Sequence, residues 1–343
     1  MSLIINSPLA IKGYIESEIG GRSENQDSAG ALDTDIGTVV VVCDGMGGMR
    51  GGKTASMIAV KTIIDSVAQA KTDDSPEEVL ITAFKLAHEA ILEAGRNDSD
   101  LKGMGTTGTA IIISRKSATV AHLGDSRIYQ LRKRKKIFRT FDHSMVFQLV
   151  KAGTITEEQA RLSANSNYIL KALGVGDDVV PDIATLPFLK GDRFVLCTDG
   201  FWGAYCEKDF IKAVSKKKDI KGLLWDMSKE INKIGLNGGG GHDNYTAAVV
   251  DVNFESKIKT RMSTRLKVFI AAILLLLAAS LYVNYKTIVE IKGNAEKLNV
   301  ATDYAKQLKN GVDSLIDAQT PKFIETFDFA QQEVTDSLTN KNK

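Results

Sequence analysis

At 343 residues the chain is longer than one hydrophobic core usually supports, which predicts one large domain and something beyond it. Charged residues at 25% and apolar residues at 43% match a globular protein, and a formal charge of +2 argues against a nucleic-acid partner. Cys43, Cys197 and Cys206 form no C-x-x-C pair and read as free, mostly buried thiols in a reducing compartment, which leaves a disulfide or zinc framework without support.

Residues 1–17 lack the basic-then-apolar design of a signal peptide. Residues 10–17 alternate apolar and polar and read as an opening strand. A polar loop follows, containing Arg22, Glu24, Asn25, Gln26 and Asp27. Val39 to Val42 and Cys43 then form a fully buried strand that stops at Asp44, ahead of Gly45-Met46-Gly47-Gly48. A carboxylate closing a buried strand is costly unless something pairs with it, and a divalent cation is a natural partner.

Residues 51–70 read as a helix with Ala55, Ile58, Ala59, Ile63 and Val67 on one face. Residues 76–94 read as a second, with Pro76 near its start and His88 packed beside its apolar face. Strands return at residues 106–113, 118–123 and 128–131, with the turn Gly124-Asp125-Ser126-Arg127 between the last two. The basic run 132–136 has no interleaved aromatic and reads as a solvated hairpin tip. Helical stretches are expected from Ser144 to Gly153 and from Asn167 to Leu173, with a polar, mobile surface segment between them.

The design of the first buried strand recurs. Residues 193–197 run apolar into Thr198-Asp199-Gly200, and Gly241-His242-Asp243-Asn244 leads into the apolar strand 245–252. Asp44, Asp199 and Asp243 therefore all stand at strand ends in glycine-containing turns. Three carboxylates gathered at one sheet edge could hold two hard cations; coincident surface turns are the bland alternative.

Together these pieces resemble the metal-dependent type 2C serine/threonine protein phosphatase family, in its bacterial form. The matching motifs, in the family's order, are Arg22…Asn25-Gln26-Asp27, Asp44-Gly45-Met46-Gly47-Gly48, Gly105-Thr106-Thr107-Gly108-Thr109, Gly124-Asp125-Ser126-Arg127, Asp142-His143-Ser144, Thr198-Asp199-Gly200 and Gly241-His242-Asp243-Asn244. They span about residues 8–253. The resemblance implies an α+β fold, a four-layer α-β-β-α sandwich of two antiparallel sheets. It implies two Mg²⁺ or Mn²⁺ ions, with Asp44 bridging them, the Gly45 carbonyl on the first, and Asp199 and Asp243 on the second. Asp27 stands near the first metal, Asp125 at the position of a third, weaker metal, and Arg22 at that of the residue gripping the substrate phosphate. Two departures stand out: Gln26 replaces a common glutamate, and Met46 replaces a histidine proposed as general acid in eukaryotic members. His122, His143 and His242 read as packing or structural histidines. A catalytically silent signalling or binding module of the same fold, and a non-enzymatic membrane scaffold, are the competing readings.

Beyond residue 253 the pattern changes. Lys257, Lys259, Arg261, Arg265 and Lys267 precede Val268 to Val283, about 16 residues without a charge. That is about 24 Å of helix, extended toward a full span by Leu266, Lys267, Tyr282 and Tyr285. The expectation is a basic linker over 254–265 and one membrane-spanning helix over 266–285. The basic cluster places the phosphatase domain on the cytoplasmic side of the cell membrane and the C-terminus outside. In the tail 286–343, Ile291, Asn294, Leu298, Ala301, Ala305, Leu308, Val312 and Leu315 follow heptad spacing. This predicts either a dimeric coiled coil or a single amphipathic helix meeting another envelope protein. The expected partners are thus phosphorylated protein substrates, the membrane and a second copy of the chain.

Overall fold

The computed structural model describes residues 1–257 except 164, 166, 167, 178 and 217, and beyond them residues 273, 276, 277, 279–283 and 302–311. In chain order the elements are β1 (Ser2–Ser7), β2 (Ile11–Glu18), β3 (Asp27–Thr34), β4 (Gly37–Met46), α1 (Gly48–Ala68), α2 (Pro76–Asn97), β5 (Gly105–Thr106), β6 (Gly108–Ile113), β7 (Ala118–Leu123), β8 (Arg127–Arg132) and β9 (Lys135–Arg139). Then come α3 (Met145–Lys151), α4 (Glu157–Arg161), β10 (Asp182–Leu186), β11 (Arg193–Cys197), α5 (Asp199–Trp202), α6 (Glu207–Val214), α7 (Ile220–Asn237) and β12 (Tyr245–Val252).

The valine run of β4 shows how the layers arise. Successive strand side chains point to opposite faces. Val39, Val41 and Cys43 pack against α1 and α2, through Ala55, Ala59, Ile63, Leu80, Phe84 and Ile91. Val40 and Val42 face a second sheet and meet Ile15, Phe194, Leu196 and Ala248. A strand buried on both faces has no polar side to show, hence its unbroken apolar sequence.

One sheet runs β1-β2-β12-β11-β8-β9 and the other β10-β7-β6-β4-β3, with β5 paired to the end of β4. Every pairing is antiparallel. On the outer face of the first sheet, Tyr129, Val195 and Val249 pack with Phe201, Phe210, Leu224 and Met227 of α5, α6 and α7. The result is the α-β-β-α sandwich. Phe194 is fully buried between the sheets, in edge contact with Phe188. Phe194→Ala should lower the unfolding free energy by about 3–5 kcal/mol, read from denaturant midpoints at unchanged m-value.

Of the helix expected at 167–173, the described residues 168–173 are not helical. Leu173 exchanges backbone hydrogen bonds with Thr106, at 2.8 and 3.0 Å, and Ile169 bridges Ser144. Tertiary backbone pairing holds this short apolar run extended. The preceding segment carries α3 and α4, the latter started by a capping box between Thr156 and Gln159. Val146, Phe147 and Ala160 give it a small core of its own.

By its contacts the chain divides into Met1–Lys259 and Thr260–Lys343. In the second unit the described residues 273, 276, 277, 279–283 and 302–311 are helical and exposed. Among the described residues no helix is long and apolar enough to cross a membrane. The greater part of the expected linker, span and tail, including most of the heptad seam, lies outside the described residues.

Candidate metal centre

Five of the aspartates singled out in the sequence converge. Asp27 and Asp44 are opposite partners in the β3–β4 register, so their side chains share a face. The β4 end is fixed by threonines: the Asp44 N–H donates to Thr107 Oγ1 at 2.9 Å, and its carbonyl accepts from Thr107 N–H at 2.8 Å and Thr106 Oγ1 at 2.7 Å. Gly45 lies so close to the start of α1 that a Cβ there would sit 2.0 Å from the Gly52 carbonyl oxygen. Only glycine fits at that approach.

Asp199 starts α5 directly after β11, and Asp243 precedes β12 by two residues. The adjacent strands β11 and β12 bring both to one edge. A Cβ on Gly200 would sit 2.1 Å from the Asn244 carbonyl oxygen, so glycine again permits the close approach. Asp125 lies buried in the β7–β8 turn, where its carbonyl oxygen accepts from Trp202 Nε1 at 3.1 Å. Arg22 donates from Nη2 to Asp243 Oδ2 at 2.9 Å, with both side chains about half exposed.

These carboxylates repel one another. Burial, then the charges of Asp27, Asp199, Asp125 and Asp243, holds the Asp44 carboxyl well above the usual range. Asp44 and Asp199 keep some solvent access but are ringed by protein atoms. Burial, opposed by hydrogen bonds from Thr246 and Thr198, pushes Asp27 up to about 7. Burial and Asp243 push Asp199 up to about 6. Burial and Asp199 hold Asp125 well above the carboxylate range. Asp27 Oδ1, Asp125 Oδ1 and Asp199 Oδ1 are buried without a hydrogen-bond partner. Clustered acids with orphaned oxygens are costly alone and suit hard divalent cations. The donor set therefore fits Mg²⁺ or Mn²⁺, with no competing nitrogen or sulfur among these residues.

Thr198 and Asn244, which stand in the sequence motifs without an assigned role, act here as supports. Thr198 Oγ1 donates to Asp27 Oδ2 at 3.0 Å while accepting from the Thr246 N–H at 2.9 Å, tying β3, β11 and β12 together. Asn244 binds the polar loop: its Oδ1 accepts from the Gln26 N–H, and its Nδ2 donates to the carbonyls of Ile19 and Glu24. Trp202 lies outside the sequence motifs altogether. Beside the aspartates opens a cavity of about 190 Å³, whose lining includes Asp125, Asp199, Asp243, Ser144, Phe147 and Arg161. His242 is turned away and hydrogen-bonds Asn232. His143 also faces elsewhere, toward Asp182.

Comparison with known proteins gives the family. The family model described as protein phosphatase 2C matches residues 16–230. The serine/threonine phosphatase stp of Listeria innocua is 31% identical over 240 residues, covering 69% of this chain and 93% of that protein. The serine/threonine phosphatase of S. agalactiae, a solved structure, is 31% identical with a TM-score of 0.64, over 71% of this chain and 99% of that one. The catalytic domain of the serine/threonine protein phosphatase PstP, solved in complex with two manganese ions, is 29% identical with a TM-score of 0.60, over 70% and 97% of the two chains. The chain belongs to the protein phosphatase 2C family of serine/threonine phosphatases.

Proposed function

We propose that the chain removes phosphate from phosphoserine and phosphothreonine in proteins at a dinuclear Mg²⁺ or Mn²⁺ centre. The observation that carries this reading is the convergence of Asp27, Asp44, Asp125, Asp199 and Asp243, with a buried, unpartnered oxygen on Asp27, Asp125 and Asp199. Asp44, the Gly45 carbonyl, Asp199 and Asp243 would hold the two ions, Asp27 would support the first, and Asp125 would hold a weaker third. When bound, such ions supply a water of lowered pKa and neutralise charge on the phosphoryl oxygens.

The protein's own residues do the rest. The threonine bonds to the Asp44 backbone fix the strand end from which its carboxylate projects. Arg22 swings from its exposed pairing with Asp243 to the substrate phosphate, where a planar guanidinium bonds two oxygens at once. No Ser-His or Cys-His pair borders the site among the described residues, which favours direct attack by water over a covalent intermediate. Met46 offers no proton, so the leaving group takes its proton from solvent.

Release of phosphate from a phosphothreonine peptide, strictly dependent on added Mn²⁺ or Mg²⁺, tests the reading; a metal-loaded chain that binds the peptide without turnover supports the silent-module alternative. Arg22→Ala should lower kcat/KM by about 10- to 100-fold, the worth of a charged hydrogen bond, in steady-state assays. Its effect on stability should stay within about 1 kcal/mol, since the pair it breaks is exposed.

The same reading places the domain at the inner face of the cell membrane, held by residues 266–285, with the tail outside and able to pair with a second copy. The support is the uncharged run 268–283 after five basic residues. The full chain should sediment with membranes and resist high-salt extraction, whereas a chain ending at residue 259 should stay in the supernatant; equal partition of both ends the anchoring proposal.

A further inference from the structure

A second cluster of metal-ligating side chains lies on the β7–β10 pair. His122 and Asp182 are direct partners in that register. Val120, two residues before His122, packs between the sheets, so His122 points the same way at the end of that layer. His143, from the turn after β9, completes the group. Its Nε2 is 3.1 Å from Asp182 Oδ2, and its ring centroid is 4.9 Å from that of His122, with the planes tilted by 28°. One ligand atom from each of the three side chains lies within 4.8 Å of the others.

His122 is the anomaly. It is 1% exposed, and neither ring nitrogen has a partner at hydrogen-bond distance, although the Ser126 backbone is near. A neutral imidazole carries one N–H and one lone pair; even with the N–H turned toward the Ser126 backbone, the lone pair is buried without a donor. Burial holds the ring neutral, with its pKa pushed down to about 3, so the lone pair is free at neutral pH. Asp182, by contrast, has a side chain 61% exposed and gives the cluster a mouth to solvent.

We propose that His122, His143 and Asp182 bind one divalent transition-metal ion of the zinc class, and that this ion restrains the phosphatase. Two imidazoles and one carboxylate, with a fourth position open to water, are a zinc donor set, unlike the oxygen-only set of the aspartate centre. Ligand atoms around tetrahedral zinc lie about 3.3 Å apart, given bonds of about 2.0–2.1 Å. His143 and Asp182 already meet that spacing, and the exposed Asp182 can close on the ion.

The restraint follows from the proton on His143. The Gly124 N–H donates to His143 Nδ1 at 3.1 Å, so the ring's own proton sits on Nε2 and goes to Asp182. An ion at Nε2 displaces that proton to water, and Nδ1 takes up another, leaving the ring neutral. Nδ1–H can no longer accept from Gly124. Gly124 leads directly into Asp125, so metal binding here loosens the turn that carries one carboxylate of the catalytic centre.

The test uses the full chain, saturated with Mg²⁺ and titrated with Co²⁺ as a spectroscopic stand-in for Zn²⁺. The expected result is the intense visible absorption of four-coordinate Co²⁺, saturating at one ion per chain and bleached by Zn²⁺. Asp182→Ala alters a largely exposed side chain and should weaken this binding at least about tenfold; His122→Phe, which refills the buried space, should do the same. Only weak six-coordinate absorption in the wild type, or equal affinity in wild type and Asp182→Ala, overturns the site. Zn²⁺ should also slow Mn²⁺-supported phosphate release, and Asp182→Ala should need at least about tenfold more Zn²⁺ for the same effect. Equal inhibition of both overturns the restraint. This last arm rests on the phosphatase reading; a chain with no turnover at all would sink that reading and leave the Co²⁺ titration to decide the site.

Discussion

Asp199→Asn should cut metal-supported phosphate release by more than about 100-fold while raising the melting temperature of the metal-free protein. The loss exceeds the 10- to 100-fold typical of a residue that merely supports a ligand, because Asp199 is itself placed as one. The gain has a different origin. Without metal, Asp199 is pushed up to about 6 by burial and by Asp243, and it raises Asp44 and Asp125 in turn. An asparagine keeps the shape and removes one charge from the cluster. Each kcal/mol of relieved repulsion is worth about 2–4 °C in a domain of this size. The measurement is a pair: kcat at saturating Mn²⁺, and melting in EDTA. Loss of activity together with a lower metal-free melting temperature would make Asp199 a folding residue and remove it from the ligand set.

The stabilisation conferred by Mn²⁺ should widen as pH rises from about 5 to about 8. Asp27 titrates at about 7 in the folded chain, against an ordinary value of 3.8, and Asp199 at about 6. Between those limits the folded, metal-free protein holds more protons than the unfolded chain. Its stability therefore falls as pH climbs through this window and is greatest on the acid side. Bound metal keeps the carboxylates ionised, so the loaded protein escapes that loss, and binding to the native state adds stability by mass action. Melting temperatures in EDTA and in Mn²⁺, taken side by side across the pH range, give the gap directly. A gap that is flat or narrows toward pH 8 contradicts the coupling of these acids.

Both predictions rest on residues that could be read from sequence, for a physical reason. A charge at the end of an otherwise buried strand is conspicuous, and Asp44 and Asp199 each show it. Helices α1 and α2 were equally plain, since their apolar residues repeat at helical spacing. The segment after α4 was misjudged because Leu173 owes its shape to Thr106, far away in sequence, rather than to its neighbours. The roles of Thr198 and Asn244, though both stand in the motifs, and the part of Trp202 were hidden for a related reason: each acts through hydrogen bonds to a distant strand, loop or turn. His122 read as packing, since nothing local announces that His143 and Asp182 will fold against it. Near the metal centre, then, the chemistry was legible, and the roles of its supports were not.

The most direct test of the metal centre is anomalous diffraction from crystals grown with Mn²⁺ at a concentration that saturates turnover. Two manganese peaks should appear within coordination distance of the Asp44 carboxylate, one of them shared with Asp199 and Asp243. Full turnover with no manganese peak beside Asp44 would contradict the assignment of these aspartates as the catalytic metal site.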